Sequence, residues 1–127
     1  MYSERLLDHF QNPRNVGELA PPAVTVEVAN PVCGDILRLS AEVREGRVAR
    51  AAYKTRGCTA SIAAGSALTE WLIGKSAAEI ALLRTADIEE AVGGLANESK
   101  HAAALCVDAA RALLKHLPII APKPDIL

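Results

Sequence analysis

Three β-rich runs stand close together between Val24 and Thr55, and the links between them are short. Val24-Thr25-Val26-Glu27-Val28 alternates with period two, as a half-buried strand does. Ile36 to Val43 is the second run. Glu45-Gly46 is a tight turn, and Val48 to Thr55 is the third. Parallel strands need a crossover of a dozen or more residues, and no link here has room for one. The runs are therefore expected to pair as an antiparallel meander.

On either side of the meander the period is helical. Residues 2–11 (YSERLLDHFQ) read as a short helix ended by Asn12-Pro13, because a residue before proline avoids the helical region. Asn15 to Pro22 reads as a loop. After Cys58, the residues Ile62, Ala63, Leu68, Trp71 and Leu72 recur at helical spacing, with Gly74 as a stop. Ser76 and Glu79 form a capping box for another helix. Asp87 to Val92 reads as a short helix broken by Gly93-Gly94. A last helix, from about Ser99 to Leu117, is rich in alanine and leucine. One helix, three strands and then helices predict an α+β fold: a three-stranded antiparallel sheet with helices packed on one face. The 127 residues are one domain's worth, and residues 118–127 read as an irregular Pro-rich tail.

Composition excludes several function classes. The formal net charge is −1, with no basic stripe to suggest nucleic acid and no apolar run near the roughly 20 residues of a membrane span. The mixed-charge N-terminus lacks the apolar stretch of a signal peptide, so a cytoplasmic location is expected. No nucleophile elbow, phosphate-cradling glycine loop or paired carboxylates in a recognisable turn appear, so the chain does not read as an enzyme.

Three cysteines at wide spacing, Cys33, Cys58 and Cys106, read in a reducing compartment as thiols or metal ligands and not as a disulfide framework. Cys33 lies in the turn Pro31-Val32-Cys33-Gly34-Asp35, and Cys58 lies in Thr55-Arg56-Gly57-Cys58-Thr59, where a strand hands over to a helix. Glycine lets the backbone approach an ion, and a helix N-terminus favours a thiolate. Each cysteine taken alone also suits a small buried hydrophobe. Asp35, two residues past Cys33, adds a possible oxygen ligand. His101 stands at the start of the last helix and gains meaning only if the fold carries it to these turns. His9 and His116 have no comparable setting.

Taken together, Tyr2-Ser3-Glu4, Asp8-His9, Asn12-Pro13-Arg14-Asn15-Val16-Gly17, Pro31-Val32-Cys33-Gly34-Asp35, Lys54-Thr55-Arg56-Gly57-Cys58, Thr69-Glu70-Trp71, Gly74-Lys75-Ser76 and Asp87-Ile88 resemble the U-type iron–sulfur cluster scaffold family (IscU and the N-terminal domain of NifU) in order and spacing. The resemblance covers about residues 2 to 117. It implies a transient [2Fe–2S] cluster, built from iron and from the persulfide sulfur of a cysteine desulfurase and handed to apo-proteins. It also implies that Zn²⁺ or Fe binds at the same site. The implied ligands are Cys33, Asp35, Cys58 and His101.

The chain departs from that family at position 102, which is alanine where the family has its third cysteine. Asp108-Ala109 anchors this register, and Cys106 comes four residues late. On a helix that displacement is about 6 Å along the axis, whereas metal–sulfur bonds are about 2.3 Å. His101 and Cys106 would also stand roughly 140° apart around the helix. Cys106 is therefore expected to pack in the core, with ligation as the lesser alternative. The proline-containing segment that a dedicated Hsp70 chaperone reads in bacterial members is here Leu95-Ala96-Asn97-Glu98-Ser99-Lys100, which weakens the expectation of that partner. The missing cysteine is the one most associated with taking persulfide. A zinc-binding regulatory paralogue, or a module that docks a desulfurase without metal, therefore remains as an alternative.

Overall fold

The computed structural model describes residues 2–117; the Pro-rich tail expected at 118–127 lies outside the described residues. Helix α1 (Glu4–Gln11) precedes strands β1 (Val24–Ala29), β2 (Ile36–Arg44) and β3 (Arg47–Arg56). Helices α2 (Thr59–Leu72), α3 (Ala77–Ile80) and α4 (Thr85–Ala91), a 3₁₀ turn at Asn97–Ser99 and α5 (His101–Leu114) follow.

The sheet is antiparallel with the order β1-β2-β3, as the short links require. Leu37, Leu39 and Ala41 of β2 sit opposite Thr55, Tyr53 and Ala51 of β3, so one pleat face carries the apolar set. Helix α2 packs against β3, and α5 packs against β1 and β2. Buried Ala60, Ala63, Ala64, Ala67 and Leu68 line α2, and buried Ala102, Leu105, Cys106, Ala109 and Leu113 line α5. Small side chains bring helix and sheet close. At Gly65 a Cβ would stand 2.5 Å from the Tyr53 ring, whose hydroxyl donates to the Ile62 carbonyl at 2.7 Å. Each fully buried leucine in this core contributes about 2 kcal/mol by leaving water.

The opposite sheet face is not bare. The chain pairs with the free edge of β3 at Val16, through Gly17 N–H to the Tyr53 carbonyl and Tyr53 N–H to the Asn15 carbonyl. It must then cross the sheet to enter β1 on the far edge. Glu18 meets Arg38 during that crossing, and Ser40 and Ala52, paired across β2 and β3, are buried.

The expected elements are all present, with shifted ends. Helix α1 begins at Glu4 because Ser3 caps it, accepting from Leu6 N–H at 3.0 Å. Its hydroxyl also donates to the Val92 carbonyl, which fastens the chain's start to the end of α4. Ser76 and Glu79 make the expected capping box. The last helix starts at His101, two residues later than expected, because Asn97–Ser99 closes as a 3₁₀ turn. No helix among the described residues is long and apolar enough to cross a membrane.

Candidate metal centre

Two turns and one helix start meet at the end of the sheet where β2 begins and β3 ends. The first turn is held by Asn30, whose side-chain oxygen accepts from Val32 N–H at 2.8 Å and Cys33 N–H at 3.3 Å. Asn30 also exchanges backbone bonds with Gly34 and Asp35, each of 2.8 Å. Gly34 has φ +79°, a conformation that side-chain-bearing residues rarely adopt. The turn leaves Cys33 exposed and turns Asp35 inward, where it is only 7% exposed.

The second turn follows β3. Gly57 leaves room for the Asp35 carboxylate, since a Cβ there would lie 2.5 Å from its carboxyl carbon. Cys58 is the N-cap of α2 and makes no side-chain capping bond, so its sulfur is free to face the site. His101 is the first residue of α5 and lies at the same end because α5 packs along β1 and β2.

Cys58 Sγ lies 3.5 Å from Asp35 Oδ2 and 3.6 Å from His101 Nε2, and His101 Nε2 lies 3.4 Å from Asp35 Oδ2. One ligand atom each of Cys33, Asp35 and His101 lies within 4.8 Å of the others. Ligands at 2.0–2.3 Å from a tetrahedral ion stand about 3.3–3.8 Å apart along the tetrahedron's edges. Three of the four groups are thus already at that spacing, with Cys33 on an exposed turn beside them. Two thiols, an imidazole and a carboxylate suit zinc or iron–sulfur chemistry.

Burial pushes the Asp35 carboxyl up. Hydrogen bonds from Ser61, Cys58 and Cys33 outweigh this and hold it below the ordinary carboxylate value. The sequence reading missed Ser61. Its hydroxyl donates to Asp35 Oδ2 at 2.5 Å and lies 3.4 Å from Cys58 Sγ. The available signal was its place three residues after Cys58, the helix position whose side chain reaches back toward the cap.

Cys106 differs from these groups in its environment. It is 1% exposed, faces the core from α5, and burial pushes its thiol up to about 12. Ala102, beside His101, is fully buried. His9 is not at this site: its Nδ1 meets Ser66 Oγ at 2.8 Å between α1 and α2.

The family model of the NifU-like N terminal domain matches residues 1–121. The chain belongs to the NifU-like N-terminal domain family. Within it, the chain is 40% identical over 111 residues to the iron-sulfur cluster assembly scaffold protein IscU 1 of Archaeoglobus fulgidus, covering 87% of this chain and 72% of that protein. It is also 40% identical over 118 residues to the iron-sulfur cluster assembly enzyme IscU of Drosophila melanogaster, covering 90% of this chain and 76% of that one. Among solved structures, the N-terminal part of a nitrogen-fixing NifU-like protein from Brucella abortus superposes with a TM-score of 0.60 over 87% of this chain and 77% of that one. At 24% identity that likeness speaks for the fold.

Proposed function

We propose that this member of the family holds an iron–sulfur cluster as transient cargo and passes it to apo-proteins, without turning over a substrate as an enzyme does. The observation that carries this reading is the spacing of Cys58, Asp35 and His101, at 3.4 to 3.6 Å from one another with Cys33 alongside. Cys33 and Cys58 would supply the firm soft bonds, His101 a borderline one and Asp35 a hard, labile one. A [2Fe–2S] cluster is larger than one ion, and the exposed Cys33 turn is the part of the site with room to widen. Sulfur would come from a cysteine desulfurase. Within the Leu95–Lys100 segment, Asn97–Ser99 closes as a 3₁₀ turn and the family's prolines are absent, which disfavours the Hsp70 partner that reads an extended peptide.

The second reading, a zinc-holding paralogue, is favoured by Ala102, which removes a thiol from the family set. A Cys₂-Asp-His set binds Zn²⁺ well. Anaerobic reconstitution with iron(II) and sulfide separates the two. Sulfur-to-iron absorption bands that transfer to an added apo-ferredoxin support the scaffold. Persistent zinc with no such bands supports the paralogue.

A further inference from the structure

Asp35 Oδ2 is the oxygen that faces both Cys58 and His101, so it is the carboxylate oxygen a bound ion would meet. That oxygen already has a partner. Ser61, 3% exposed in the first turn of α2, donates its hydroxyl to Oδ2 at 2.5 Å. This length belongs to charge-assisted O–H···O⁻ bonds, about twice as strong as neutral ones. A hydroxyl has one proton, so while Ser61 donates to Oδ2 it can only accept from Cys58, 3.4 Å away. Gly57 packs against the carboxyl group closely enough to exclude a Cβ, which narrows the space in which the carboxylate can move.

We propose that Ser61 is a positioning residue that keeps Asp35 a weak oxygen donor by donating a hydrogen bond to Oδ2, and so sets how readily the site gives up its ion. The proposal rests on the reading of Cys33, Asp35, Cys58 and His101 as the ligand set. The bond acts in two ways. It draws electron density from the oxygen nearest the other ligands, and it helps satisfy a buried charge that a cation would otherwise satisfy better. Without the hydroxyl, the carboxylate loses the shortest of its side-chain hydrogen bonds, and an entering divalent ion recovers what the buried group lacks. The empty protein is stabilised by Ser61; the loaded one is not. The difference favours release.

The test uses Zn²⁺ alone, with affinity measured by chelator competition. Ser61→Ala puts the strongest helix former into α2, so folding is retained. The expected result is zinc binding about tenfold tighter, which is the factor made by about 1.4 kcal/mol. The melting temperature of the zinc-free protein should fall while that of the zinc-loaded protein does not. Unchanged or weaker zinc binding in Ser61→Ala overturns the proposal. So does an equal fall of both melting temperatures, which would mark Ser61 as merely structural. Because Ser61 acts through Asp35, the same change made in an Asp35→Ala protein should leave zinc affinity untouched. A tightening that persists there also overturns it. Failure of the iron–sulfide reconstitution in the unaltered protein, with the zinc shift present, would sink the cluster reading and leave this proposal standing.

Discussion

Cys58 Sγ and His101 Nε2 lie 3.6 Å apart, although one caps α2 and the other opens α5. Their meeting depends on both helices packing on the same sheet face with those two ends at the same edge. Loss of the Cys58 thiol should therefore damage metal binding and leave the fold intact. Cys58→Ser and Cys33→Ser are each expected to lower zinc affinity by at least about 100-fold, since each removes a thiolate that would bond the ion directly. Both should abolish the absorption bands after iron–sulfide reconstitution. Retention of normal affinity in either variant would remove that cysteine from the ligand set.

Cys106 should behave as a core residue. Its replacement by alanine is expected to cost about 1 kcal/mol of stability, read by denaturant unfolding, and to leave zinc affinity unchanged. In the native zinc-free protein, iodoacetamide at neutral pH should label Cys33 and spare Cys106. Thiolates are the reactive form, and burial pushes the Cys106 thiol up, so it stays protonated at neutral pH.

Gly57→Ala probes the contact beneath the carboxylate. The new methyl would stand 2.5 Å from the Asp35 carboxyl carbon, so the side chain must move. We expect a loss of about 1–3 kcal/mol of stability, as for other overpacked sites. Zinc affinity should fall as Asp35 leaves its place. Unfolding curves and chelator competition measure the two effects separately.

His9 gives the protein an acid-side dependence. Burial first, then the Arg14 charge, lowers its pKa below 6.5, against the opposing pull of Glu70 and Asp8. Ser66, on α2, lies 2.8 Å from its Nδ1 and also accepts from Arg14 N–H at 2.9 Å. A histidine with a depressed folded pKa binds its proton more readily when unfolded. Its stabilising contribution is complete above pH 6.5 and is lost as pH falls toward the folded value. The unfolding free energy should therefore drop as the pH is taken below about 6.5, and His9→Gln should flatten that slope. An equally steep slope in His9→Gln would assign it to other groups.

Much of this architecture was legible in local sequence because the signals are local. Period-two runs with short links dictate an antiparallel meander, and Ser76 with Glu79 caps its own helix. The candidate ligands Cys33, Asp35 and Cys58 stand in glycine-flanked turns that any reading would notice. What the sequence by itself determined was therefore the elements, their order and the groups able to bind metal. Tertiary structure decided which of those groups meet. Packing of α5 along β1 and β2 carries His101 to the Cys58 turn and sends Cys106 into the core. Pairing of β2 with β3 sets Asp35 beside the start of α2 and so brings Ser61 to it, 26 residues away in sequence. A hydrogen bond or a ligand set depends on distances of a few ångströms between distant segments, and those distances are set only when the helices close on the sheet.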